Sequence, residues 1–126
     1  MELLKKYPLQ LSEGDVAKKV IEAKNLAKEL FTPEYLKIAF SLIDLTTLNA
    51  TDTLEKAKKF AENVNSFQKK YPNIPNVAAI CVYPPLVKTV ATYLKIKTVG
   101  LASVGAGFPS SQTFIDVKAM ECKEAA

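Results

Sequence analysis

The sequence predicts an α/β fold in which parallel strands alternate with helices. Three short apolar runs, at residues 43–47, 77–82 and 98–104, are each followed by a turn and a stretch with apolar side chains three and four positions apart. The run at 77–82 carries no charge, which is typical of a strand covered on both faces of a parallel sheet. Strands and helices in this order favour parallel pairing through right-handed crossovers.

Two helices are predicted before the first strand. Ser12 is placed to begin the first helix, which then carries an apolar stripe of Val16, Val20, Ala23, Ala27 and Leu30. Thr32 as N-cap and Pro33 at the first helical position begin the second, which continues through Phe40.

Each strand is followed by signals for a helix start. Asp52 and Glu55 have the spacing of a capping box, and the helix that they open is predicted to bury Leu54, Ala57, Ala61, Val64 and Phe67. Pro85 suits the first turn of the next helix, predicted to bury Leu86, Val87, Val90, Ala91 and Leu94. A loop at 105–111 precedes a last helix that carries Phe114, Val117 and Met120.

Composition excludes several classes of function. The 126 residues make about one domain, and the chain has no His, which excludes His-based general base catalysis and the common zinc sites. All 17 basic residues are Lys, interleaved with Glu, so the net charge of +4 favours solvated helix faces over nucleic-acid binding. Two cysteines make no disulfide framework. No membrane span or signal peptide is evident, so we expect a cytoplasmic protein.

Candidate site residues follow from the rule that parallel α/β folds place their sites at the carboxyl ends of strands. The rule selects residues 44–46, 81–84 and 105–111. Plainer alternatives stay open: Asp44 as a cap or turn ligand, Thr46 as an ordinary β-branched strand residue, and Cys81 as a small core residue. No Lys lies at the carboxyl end of a predicted strand, so the sequence offers no Schiff-base nucleophile.

Three segments together resemble the first three βα units of the deoxyribose-phosphate aldolase family. They are IDLTTLNATDT, VAAICVYP and ASVGAGFPSSQTFIDVK, and the likeness runs from about Ser41 to the last residue. The resemblance implies a partial TIM (β/α)8 barrel over residues 41–126, with residues 1–40 as a helical N-terminal extension. The family is a class I aldolase that reversibly cleaves 2-deoxy-D-ribose 5-phosphate to glyceraldehyde 3-phosphate and acetaldehyde, without a metal or an organic cofactor.

The resemblance also implies roles for individual residues. Asp44 would belong to the polar network around the reacting carbon, and the substrate pocket would be lined by Thr46, Leu48, Cys81 and Phe108. The commonest family pattern has Gly where this chain has Ser111, so the turn after Pro109 is expected to differ locally.

The catalytic groups of the family are expected beyond Ala126. These are the Schiff-base Lys, a second Lys, a proton-shuttling Asp and the phosphate-binding loops, so we expect an N-terminal portion that is inactive alone on the family's phosphosugar and aldehyde substrates. The alternative is a non-catalytic fragment that self-associates or is completed by a C-terminal half, because three parallel strands leave two open edges.

Overall fold

The computed structural model describes residues 12–126, and this part of the chain contains three strands and five helices. In chain order they are α1 Glu13–Glu29, α2 Pro33–Ser41, β1 Asp44–Thr46, α3 Leu54–Lys70, β2 Ala79–Val82, α4 Pro84–Tyr93, β3 Gly100–Ser103 and α5 Ile115–Ala125. The predicted alternation of strand and helix is confirmed. The chain divides into two compact units, residues 1–36 and 37–126.

The three strands form one parallel sheet in the order β1-β2-β3. The register pairs Thr46 with Cys81 and Cys81 with Ala102, so these three side chains lie on one face of the sheet. Leu45 and Ile80 pair on the opposite face. The predicted parallel α/β class is therefore confirmed for the described residues.

The core lies between α3, α4 and one face of the sheet. Ile80, Val82 and Val90 are fully buried there, and the same core contains Ala57, Ala61, Val64, Val77, Leu86 and Val99. The core positions of α3 include two alanines, Ala57 and Ala61, and burial of such apolar side chains in close packing stabilises the fold. This one layer of helices holds the strands in place.

The second face of the sheet is open at β1 and at the start of β3, whereas β2 is covered on both faces as predicted, since Ile80, Cys81 and Val82 are all buried. Asp44 and Thr46 are exposed on this face, and β3 places the half-buried Ala102 beside them. Cys81, in the central strand, is 7% exposed. The uncharged run at 77–82 correctly indicated that β2 is buried. It carries no information on whether the neighbouring strands β1 and β3 are buried on the same face.

The start of α3 also differs from the prediction. Thr53 is the N-cap, and its hydroxyl accepts a hydrogen bond from the Lys56 amide at 3.2 Å. Asp52 instead accepts hydrogen bonds from the loop before the helix, so no capping box forms with Glu55. Leu54 is consequently turned outward and is 60% exposed.

The other helices begin close to their predicted residues. Ser12 caps α1 in a reciprocal pair with Asp15, and the hydrogen bonds from Ser12 hold the pKa of that carboxyl below its usual value. Pro33 begins α2 as predicted, and Pro84 begins α4 one residue before the predicted Pro85. Ala91 of α4 is exposed rather than buried. No helix in residues 12–126 combines the length and the apolar character that a membrane span requires.

Candidate functional site

Four of the five predicted site residues line one cavity on the open face of the sheet. The cavity has a volume of about 370 Å³ and is lined by Asp44, Thr46, Cys81, Val104, Gly105 and Phe108. The residues come from β1, β2 and the loop after β3. Parallel strands therefore bring three separate sequence motifs to one place, as the rule for carboxyl-end sites predicts.

Strand geometry explains why these side chains meet. Asp44 and Thr46 are two positions apart on β1 and so point to the same side, and the register places Cys81 beside Thr46. The Thr46 hydroxyl donates to the backbone carbonyl of Asp44 at 3.1 Å. No described residue hydrogen-bonds the carboxylate of Asp44, so the structure does not support its alternative role as a cap or turn ligand.

Phe108 and Cys81 give the cavity its apolar boundary. The ring of Phe108 is 52% exposed and borders the mouth, whereas Cys81 lies buried at the base. A carboxylate, a hydroxyl, a thiol and an aromatic ring thus surround one space.

Leu48 lies apart from the other four residues. It follows β1 and does not line the cavity, and its carbonyl accepts a hydrogen bond from the Tyr83 hydroxyl at 3.1 Å. This bond joins the loop after β1 to the end of β2. A contribution of the Leu48 side chain to substrate binding stays a prediction.

The loop between β1 and α3 is held by Asp52, which the sequence did not identify as a loop residue. The Asp52 carboxylate accepts from the Thr47 hydroxyl at 2.7 Å and from the Asn49 amide at 3.0 Å. The Thr47 hydrogen bond is the main cause of a lowered pKa for Asp52, the Asn49 bonds and the charge of Lys56 act the same way, and desolvation opposes them. An Asp five residues after a Thr and three after an Asn is the signal that could have indicated this turn.

The loop after β3 has three residues with a left-handed backbone. Ala106, Gly107 and Ser111 all have positive φ angles, of 56°, 76° and 54°, in the region that favours Gly. The Ser111 hydroxyl donates to the Ala106 carbonyl at 3.0 Å. The Glu121 carboxylate accepts from the Gly107 amide at 2.6 Å. Ser111 thus has a backbone conformation typical of Gly, and whether this turn differs from that of the family stays a prediction.

The arrangement can hold a small polar molecule but supplies no amine nucleophile. The carboxylate and hydroxyl can hydrogen-bond a hydroxyl or carbonyl group, and the ring can border an apolar carbon chain. Among residues 12–126, no Lys lines the cavity. Within residues 12–126, no cluster of three or more His, Cys, Asp or Glu side chains is placed to hold a metal ion.

Comparison with known proteins finds relatives named deoxyribose-phosphate aldolase. The human protein of that name is 30% identical over 118 residues, a match that covers 82% of this chain and 36% of the relative. The Caenorhabditis elegans relative is 29% identical over 109 residues, covering 85% of this chain and 36% of the relative. The chain matches no protein-family model.

A solved structure from Coccidioides immitis that carries the same enzyme name has a similar fold. It superposes with a TM-score of 0.54 and 27% identity over 71% of this chain and 32% of that structure. The chain thus resembles the N-terminal portion of deoxyribose-phosphate aldolase. It spans about a third of the length of the curated relatives that it matches.

Proposed function

We propose that this chain is an N-terminal portion of a deoxyribose-phosphate aldolase and forms the first three βα units of a (β/α)8 barrel. The observation that carries the proposal is the meeting of Asp44, Thr46, Cys81 and Phe108 in one cavity. Each of the three motifs that suggested the family contributes to that cavity. The aldolase names of the relatives and of the similar solved structure support the same family.

The proposed domain organisation places an N-terminal extension in residues 1–40, of which residues 1–11 lie outside the described residues, and the barrel part in residues 41–126. The proposed boundary lies at the end of α2, immediately before the residues that lead into β1. The open face of the sheet, with its polar side chains, would line the interior of the barrel near the carboxyl ends of the strands. We also propose a cytoplasmic location.

In this proposal the cavity residues orient the substrate and do not attack it. Asp44 would hydrogen-bond hydroxyl groups or water beside the reacting carbon, and Thr46 would add a second polar contact. Phe108 would border the small-aldehyde side, and Cys81 would fill the base of the pocket. The chemistry of the family needs a Lys amine for the Schiff base, and no metal or organic cofactor is proposed.

The proposal predicts that the chain alone does not cleave 2-deoxy-D-ribose 5-phosphate. None of the lysines in residues 12–126 lines the cavity, and a Lys that lacks a desolvated or cation-flanked pocket is a weak nucleophile. Incubation with substrate and borohydride, followed by intact-mass measurement, should therefore trap no adduct. A stoichiometric adduct on a Lys of this chain would contradict the proposal.

Complementation tests the role of the cavity directly. The remaining C-terminal part of the human relative is mixed with this chain, and release of glyceraldehyde 3-phosphate is measured. Activity is expected only in the mixture, and Asp44→Ala should lower it by at least tenfold. Leu54→Ala is the control, because Leu54 is exposed and lies outside the cavity. Equal activity of the Asp44→Ala and Leu54→Ala mixtures would count against the assigned site.

A non-catalytic association role is the second candidate. The sheet favours this role, because among the described residues β1 and β3 each pair only with β2 and leave their outer edges unpaired. Unpaired strand edges readily pair with another chain. Binding without catalysis would appear as a stable complex that has no lyase activity.

A further inference from the structure

The β1 edge of the sheet has backbone groups without a strand partner in the described part of the chain. In a parallel sheet, successive residues turn their N–H and C=O groups alternately toward the two neighbouring strands. Ile43 and Thr47 both bond to the β2 side through their backbone groups. Asp44 and Thr46 therefore turn theirs toward the open edge.

The β3 edge has the matching pattern. Gly100 donates to the Ala78 carbonyl at 2.8 Å and Val104 donates to the Val82 carbonyl at 3.1 Å. The alternation then turns the backbone groups of the intervening residues 101 and 103 to the open side. With residues 44 and 46 free on the β1 edge and residues 101 and 103 free on the β3 edge, parallel pairing of the two edges would allow about three backbone hydrogen bonds.

Pairing β3 of one copy with β1 of another would also preserve the two faces of the sheet. Ser103 shares its face with Val82, because the two are in register, and Leu45 shares the same face through Ile80. A register that pairs Ser103 with Leu45 therefore keeps all helices on one face. A slip by one residue would turn apolar side chains to the wrong face, so the pattern restricts the pairing.

An apolar groove lies beside the β1 edge on the helix-bearing face. This β1 groove has a volume of about 300 Å³, and no described residue in its lining is charged. The described lining consists of Phe40, Ile43, Leu45, Phe60, Asn63, Val64, Phe67, Asn76 and Val77. The rings of Phe40 and Phe67 stack at 5.2 Å between their centroids and form one wall. The groove suits an apolar partner surface.

An exposed apolar ridge lies beside the β3 edge. The α5 ridge consists of Phe114, Val117 and Met120, which recur at three-residue spacing on one side of the helix and are 82%, 53% and 67% exposed. The helix packs along α4, which itself contacts β3, so the ridge and the groove lie on the same helix-bearing side. Three large apolar side chains in one exposed patch indicate an interaction surface.

We propose that the chain associates head to tail with a second copy of itself. The β3 edge and α5 ridge of one copy would contact the β1 edge and β1 groove of the next. A second copy is the favoured occupant because one chain carries both halves of the contact, with matching strand direction, matching faces and apolar character on both sides. Such an interface is heterologous, so each copy uses a different surface on either side. The inference does not depend on the proposed aldolase activity.

Sedimentation velocity over a concentration series of the full chain tests the association. Wild type should form species larger than a monomer, with a share that rises with concentration. Met120→Lys, and separately Val117→Lys, should reduce that share at least tenfold, because each places a charge on the α5 ridge. Leu54→Lys is the matched control and should associate like wild type, since Leu54 is equally exposed but lies outside both surfaces. Circular dichroism verifies that each variant is folded.

A mixing experiment tests the head-to-tail geometry. Ile43→Lys should damage the β1 groove but leave the ridge intact, whereas Met120→Lys leaves the groove intact. Each variant alone should be monomeric, and an equimolar mixture should form a one-to-one dimer that grows no further. Two results would overturn the proposal: a wild type that stays monomeric at the highest concentration, or ridge variants that associate like Leu54→Lys. A monomeric chain that binds the C-terminal part of the human relative would assign the surfaces to that partner instead.

Discussion

The side chain of Asn65 joins α3 to the segment between α4 and β3, and its removal should measurably destabilise the fold. Its Nδ2 donates to the Tyr93 carbonyl at 2.7 Å, and its Oδ1 accepts from the Lys95 amide at 2.7 Å. A net hydrogen bond contributes about 1 kcal/mol. Both backbone partners are near the surface and can bind water in the variant, so the larger penalty for a buried unpaired group does not apply. Asn65→Ala should therefore cost about 1–2 kcal/mol.

Urea unfolding followed by circular dichroism measures this free energy. A loss of 1 kcal/mol corresponds to a decrease in Tm of about 4–8 °C for a unit of this size, so thermal unfolding provides an independent check. Asn63→Ala is the matched control on the same helix, because no described residue hydrogen-bonds the Asn63 side chain, and its effect should stay within about 0.5 kcal/mol. Equal effects of the two variants would refute the role assigned to the Asn65 bonds.

Three further outcomes follow from particular contacts. The pKa of Asp52 is lowered in the folded state, so the Asp52 carboxylate stabilises the fold fully above pH 3.8, and this contribution is lost as the pH falls through the folded-state pKa. In Asp52→Asn the free energy of unfolding should therefore fall less steeply between pH 5 and pH 2 than in wild type. An unchanged slope would contradict a stabilising role for the Asp52 carboxylate. Gly107→Ala should cost about 1–2 kcal/mol because its φ is +76°, whereas Gly14→Ala, in an open position of α1, should not destabilise the chain in the same urea assay. Cys122 is exposed and Cys81 is buried, so a thiol reagent should label Cys122 at least tenfold faster than Cys81 in native protein. Mass spectrometry of the labelled peptides measures both rates, and equal rates would contradict the burial of Cys81.

Local signals in the sequence were enough to predict the order of the elements and the parallel sheet. Ser12 and Pro33 mark helix starts because their chemistry acts within one turn. The capping box at Asp52 was wrong because Thr53 is an equally good N-cap and the loop supplies Asp52 with other partners. Neighbouring cap residues cannot be ranked without knowing the path of the preceding loop.

The site was predictable where it depends on strand ends and not where it depends on tertiary contacts. Thr46 and Cys81 could be placed together because the ends of parallel strands meet at one edge. The bond from Tyr83 to the Leu48 carbonyl joins residues 35 positions apart, and no spacing rule indicates it. The same reason explains why Asn65 resembles a solvated helix residue in the sequence although it joins two elements.

Asp44 and Asn76 differ in the way expected of a residue that serves a binding site and a residue that stabilises the fold. Asp44 is exposed on the open face of the sheet, and its carboxylate has no hydrogen-bond partner among the described residues. Replacement by Ala should therefore change the free energy of unfolding by no more than about 0.5 kcal/mol. Asn76 provides the contrast, because its side chain donates to the Val64 carbonyl and accepts from the Val77 amide, both at 3.0 Å, within a half-buried region. Asn76→Ala should cost about 1–3 kcal/mol. If Asp44→Ala destabilised the chain as much as Asn76→Ala in urea, the polarity of β1 would serve the fold, and its assignment to a substrate pocket would lose its physical basis.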